Sequence, residues 1–82
     1  MILVDVYAPS VDETWDFILD ENTKNERIIQ ELVEMISKKI TNGHMLDFEK
    51  FRLYSLAGEC ELPKESTLAA CGIRDGYKLL LV

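Results

Sequence analysis

The chain has one histidine, two cysteines and no long hydrophobic run, and each shortage excludes a class of protein. Cys60 and Cys71 are too few for a disulfide scaffold, and adding His44 does not complete a four-ligand zinc site. No apolar run approaches the roughly 20 residues of a membrane-spanning helix, and no basic segment opens a signal peptide. Because reduced thiols are typical of the cytosol, we expect a cytoplasmic protein without a metal site or direct membrane insertion.

Basic residues are also scarce. Nine Lys and Arg stand against fifteen Asp and Glu, which gives a formal net charge of −6. Since an acidic surface repels phosphate groups, nucleic acids and anionic membranes are not expected partners. The 82 residues can enclose one small core, so we predict one domain over residues 1–82 and no deep catalytic cavity.

The N-terminal residues alternate in polarity with a period of two, as β-strands do. Ile2, Val4 and Val6 share one face of the first predicted strand. After a turn at residues 8–10, the segment 15–19 repeats the pattern, with Trp15, Phe17 and Leu19 on one face. The two segments predict a β-hairpin.

A helical period follows the hairpin. Thr23 and Glu26 match a capping box, which predicts that a helix begins there. Asn42 and Gly43 are typical of its end. The apolar residues recur in steps that place them on one helix face, which we expect to pack on the sheet: Ile28, Ile29, Leu32, Val33, Ile36 and Ile40.

The C-terminal half predicts several short elements. They are a strand over residues 51–56, an edge strand over residues 59–62, a helical turn over residues 67–73 and a last strand over residues 77–82. The last strand is almost entirely apolar, which favours the centre of the sheet beside the first strand. The order predicts an α+β fold of the β-grasp type: a mixed sheet of four to five strands with one amphipathic helix across one face.

The chain resembles the ubiquitin-like family over nearly its whole length. The resemblance rests on the hairpin, the helix, the sequence Leu-Ala-Gly at residues 56–58 and the run from Thr67 to Val82. With its Cys-Gly-Ile at residues 71–73, the chain is most similar to the bacterial YukD/EsaB proteins. That resemblance implies a cytosolic accessory of a type VII secretion system that contacts a component of the machinery.

Departures from the family limit what the resemblance implies. Conjugated members end in a flexible Gly-Gly tail, whereas here Val82 is expected to end a strand, so conjugation is not implied. The docking isoleucine of ubiquitin corresponds to Ser55 of this chain, so the familiar recognition mode is not carried over. A small ubiquitin-like subunit of a bacterial multicomponent oxygenase is the alternative function.

No catalytic constellation emerges from the residues. His44 lies in a predicted linker with no Ser or Cys that the sequence places beside it, and the acidic pairs fall at predicted turns. We therefore expect a non-enzymatic protein without a cofactor.

Apolar residues on the sheet face away from the helix are the candidate site. Period-two geometry places Leu3, Ile18, Leu53 and Leu80 on that face. Asp5, Asp16 and Lys78 are expected to form a polar rim around them. A contiguous apolar patch of this kind marks a contact site, so we predict that it binds a protein partner, with a homodimer left open.

Overall fold

The computed structural model describes residues 1–40, 47–58 and 60–82, without the side chains of Ile40 and Phe48. Predicted features at Asn42, Gly43 and His44 therefore lie outside the described residues. The elements are β1 (Ile2–Ala8), β2 (Glu13–Leu19), α1 (Asn25–Ile40), a short 3₁₀ turn (Phe48–Lys50), β3 (Leu53–Ser55), β4 (Cys60–Glu61) and β5 (Lys78–Leu81).

The five strands form one mixed sheet in the order β2-β1-β5-β3-β4. β1 and β2 make the predicted antiparallel hairpin, in which Ile2 pairs with Leu19. β5 lies between β1 and β3, parallel to the first and antiparallel to the second. Val82, just beyond β5, exchanges backbone hydrogen bonds with Arg52 at 2.9 and 2.6 Å. The predicted central position of the last strand is therefore confirmed.

One hydrophobic cluster joins the helix to the sheet. The apolar stripe of α1 from Ile28 to Ile36 is buried as its period predicts, and it belongs to one cluster with the inward residues of β1, β2, β3 and β5. The strand residues in this cluster are Val4, Val6, Ala8, Phe17, Leu19, Leu53, Leu79 and Leu81. Fully burying a Val, Leu, Ile or Phe side chain stabilises a fold by about 1.5–3 kcal/mol relative to leaving it in water.

The helix begins at Asn25, and its start differs from the capping box expected at Thr23. The Asn25 amide donates to the Ser66 carbonyl at 2.8 Å, and the Glu26 amide donates to the Lys64 carbonyl at 3.0 Å. The Lys64 carbonyl, in the loop before β5, thus accepts the Glu26 amide that the Thr23 hydroxyl was expected to accept. A tertiary contact satisfies the free amides of the first helical turn, and local sequence could not indicate it.

Candidate functional site

The sheet has one face turned away from α1, which we call the open face. No second helix in the described part of the chain covers it. Residues point to it from four strands in alternation with the core residues: Leu3, Asp5 and Tyr7 from β1, Thr14, Asp16 and Ile18 from β2, Lys78 and Leu80 from β5, and Tyr54 from β3.

Three of the four predicted site residues lie on the open face. Leu3 and Ile18 are direct cross-strand partners, with 42% and 66% of their surfaces exposed. Leu80 is half-buried and pairs with Tyr7 on one side and Tyr54 on the other. These three residues therefore occupy the positions that the two-residue period predicts.

The predicted position of Leu53 is wrong. Leu53 is 0% exposed and pairs with Leu81, which is 1% exposed. Directly paired residues in a sheet share a face, so the inward direction of Leu81 requires Leu53 to point into the core as well. Ser55, two residues on, is also buried, and its hydroxyl accepts a hydrogen bond from the Gly58 amide at 3.2 Å.

Tyr54 and Leu56 point outward in place of Leu53, for which the sequence pattern predicted the outward direction. With Ser55, Leu80 and Val82 they line a shallow hollow of about 380 Å³. Leu56 also borders a neighbouring hollow of about 240 Å³, which Asp5 and Lys78 help to line. Leu56 was detectable as the apolar residue directly before the Ala57-Gly58 turn, since a leucine at a strand end is often only partly covered.

Hydrogen bonds orient the two tyrosines beside Leu80. The Tyr7 hydroxyl donates to Asp12 Oδ1 at 3.1 Å, and this hydrogen bond to the carboxylate raises the pKa of Tyr7. The Tyr54 hydroxyl lies 3.4 Å from Glu61 Oε1, whose other oxygen is 3.2 Å from Arg52 Nη1. Both rings are therefore fixed at their polar ends, with their apolar parts left beside Leu80.

The charged residues form a band across the open face and not the rim that we expected. Asp5 pairs directly with Asp16 on β2 and with Lys78 on β5. Because Asp5 lies between Leu3 and Tyr7 along β1, the band separates two apolar regions. The pKa of Asp16 is raised mainly by its hydrogen bond with Asp5 and, to a smaller extent, by the repulsion between the two carboxylates.

The described residues offer surface chemistry more than reactive chemistry. In that part of the chain no group of three or more His, Cys, Asp or Glu side chains is placed to hold a metal ion. The open face can instead contact apolar side chains of a partner, and its Asp5 and Asp16 carboxylates can attract a cation. No helix over the same ranges combines the length and the apolar character needed to cross a bilayer.

No protein-family model and no characterised protein sequence matches the chain. Solved structures do match it. An N-terminal ubiquitin-like domain solved in solution is 25% identical, with a TM-score of 0.74, and the match covers 99% of this chain and 72% of that one. Caldiarchaeum subterraneum ubiquitin is 18% identical, with a TM-score of 0.75 and coverage of 98% and 89%. The chain has the ubiquitin-like β-grasp fold.

Two further solved structures share this fold. A ubiquitin-like domain of Arabidopsis thaliana is 16% identical, with a TM-score of 0.74, over 99% of this chain and 74% of that one. ATBAG1, solved in complex with HSP70, is 13% identical, with a TM-score of 0.73, and this chain spans 40% of its length. At these identities the likeness establishes the fold, and the similarity to YukD/EsaB stays a prediction.

Proposed function

We propose that this chain is a non-enzymatic protein-interaction module that docks a partner protein on its open face. The observation that carries the proposal is the exposure of Leu3, Ile18 and Leu56, each more than 40% exposed, on one side of the sheet. Exposed apolar area is unfavourable in water, and exposed apolar patches, such as those on the two sides of the charged band, are typical of contact sites. The ubiquitin-like fold, which serves protein–protein interaction in other proteins, supports this proposal.

The finer part of the proposal concerns the partner. We propose a cytosolic accessory of a type VII secretion system whose partner is a component of that machinery. Its support is the similarity of the Cys-Gly-Ile at residues 71–73 to the YukD/EsaB proteins and an acidic composition that disfavours nucleic acids and anionic membranes. This assignment stands or falls with the identity of the captured partner.

A capture experiment with matched variants tests both parts. The wild-type chain and the double variant Ile18→Thr/Leu56→Ser serve as baits in a bacterial extract, with Met35→Ser as the control. Met35 lies on α1 and is 38% exposed, close to the 44% of Leu56, but it is outside the open face. We expect the wild type and the control to retain a secretion component, identified by mass spectrometry, and the double variant to lose it while its melting temperature changes little.

Each contrary result has a distinct meaning. Equal capture by the double variant contradicts docking on the open face. If the wild type captures an unrelated partner that the double variant loses, such as a large iron-containing oxygenase subunit, the result contradicts the secretion assignment and favours the alternative function. If sedimentation shows a dimer that the double variant abolishes, the open face binds a second copy of the chain.

A further inference from the structure

We propose that the docked segment of the partner places a lysine or arginine between two apolar side chains, and that this basic group pairs with Asp5 and Asp16. The inference rests on the proposed docking function and specifies the chemistry of the partner. Its basis is the charged band on the open face and the apolar residues on both sides of that band.

The charge of the band favours a basic partner. Asp5 and Asp16 are direct partners in the antiparallel β1–β2 pair, and like charges at this separation repel each other. The ion pairs within 4 Å in the described part of the chain join other groups: the N-terminus with Glu21, Arg27 with Glu31, and Arg52 with Glu61. A cation supplied by a partner would therefore relieve a repulsion that the chain itself leaves in place.

Lys78 does not remove this attraction for a cation. It pairs with Asp5 from β5, on the side of β1 away from β2, so Asp16 lies one strand farther from it. Asp12 adds another acidic group at the Tyr7 hydroxyl, and Arg52 is engaged by Glu61. The β1–β2 half of the open face is accordingly acidic, in agreement with the net charge of −6.

The spacing of the flanking apolar residues fits a helical segment. Leu3, Asp5 and Tyr7 follow one another at two-residue steps along β1, with Ile18 beside Leu3 and Leu80 beside Tyr7. A two-residue step in a strand spans about 6.6–6.8 Å. A four-residue step in an α-helix spans about 6 Å, so apolar, basic and apolar residues spaced four apart on a helix match this row.

Synthetic peptides with this pattern provide the test. The probe is a helical peptide with Leu-x₃-Arg-x₃-Leu on one face, and its control carries Glu in place of the Arg. Binding to the full chain is measured by NMR titration of backbone amides. The Asp5→Asn/Asp16→Asn variant removes the acidic pair, while Glu34→Gln/Glu65→Gln removes two charges from α1 and the loop before β5, outside the open face. Both variants change the net charge equally, so a difference between them reports the site.

We expect the Arg peptide to shift amides of β1, β2 and β5, and the Glu peptide to bind more weakly. Loss of the acidic pair should weaken binding of the Arg peptide by about three- to tenfold, as for exposed ion pairs, and added salt should reduce the difference. Lys78→Gln should strengthen binding, because it removes the cation that competes with the peptide.

The remaining outcomes overturn the proposal. Equal binding of the Arg and Glu peptides, equal binding by the two charge variants, or no binding of the Arg peptide contradicts the basic-partner inference. An Ile18→Thr/Leu80→Thr variant separates this failure from failure of the docking function. If that variant alone loses the peptide, docking on the open face stands without the charge pairing; if it binds unchanged, both fail.

Discussion

Replacing Leu53 with alanine should destabilise the protein far more than the same replacement at Leu56. Leu53 is the first residue of the short strand β3 and Leu56 directly follows its last, and the two differ in the face they occupy. Leu53 is 0% exposed in the core, whereas Leu56 is 44% exposed beside the open face. Since the chemical change is identical, a difference in stability reports the direction of the side chain.

The magnitude follows from burial. A core Leu→Ala substitution removes buried methyl groups and leaves a cavity, at a cost of about 2–5 kcal/mol. Taking about 3 kcal/mol, and about 4–8 °C per kcal/mol for a domain of this size, the melting temperature should fall by about 12–24 °C. The partly exposed Leu56 should cost about 1 kcal/mol or less, equivalent to a few degrees.

Circular dichroism melts and urea titrations of the wild type and both variants measure the difference. Equal shifts, or a larger loss for Leu56→Ala, would refute the reasoning. In that case β3 would pair with β5 one residue away from the register in which Leu53 meets Leu81, because a one-residue slip exchanges the two faces of a strand. Tyr54 would then be buried and Leu53 would return to the open face.

Substitutions at three further positions test other parts of the structure. Asp16→Asn should raise the melting temperature at pH 7 but hardly at pH 3: the folded pKa of Asp16 is raised above its usual 3.8, so the wild type loses stability as the pH rises past that value. Asn25→Asp should cost about 1–3 kcal/mol in urea titrations at pH 7, since it removes the donor to the Pro63 carbonyl inside the fold, and less at pH 4. Gly76→Ala should lower the free energy of unfolding from urea titrations by about 1–2 kcal/mol because φ is +86°, and Gly76→Asn should lower it less.

The elements with a long, regular pattern could be predicted from the sequence. The alternation of β1 and β2, the stripe of α1 and the apolar run of β5 each repeat over enough residues to define a buried face. The apolar character of β5 also indicated its central position. Hydrophobic burial stabilises these elements more than any other interaction, and the local sequence is enough to indicate which residues it involves.

The register of β3 could not be predicted in this way. Between Arg52 and Leu56 both faces of the strand carry apolar residues, so the period of two does not choose between them. The choice is made by pairing with β5, more than twenty residues away in sequence, where Leu53 meets Leu81. The start of α1 is similar, because the carbonyls that accept from its first amides belong to the loop before β5.

A buried amide is hydrogen-bonded favourably on the helix side of the sheet, whereas on the open face two carboxylates repel each other. On the helix side, the buried amide of Asn25 donates to the Pro63 carbonyl at 2.9 Å and joins the start of α1 to the loop before β5. On the open face, Asp16 faces a second carboxylate, and Leu3 and Ile18 remain in water beside it. Neither the carboxylate repulsion nor the exposed apolar area stabilises the isolated fold. The repulsion and the exposed apolar area both lie on β1 and β2. A partner that covers these apolar residues and brings a positive charge would therefore remove the exposed area and offset the repulsion together.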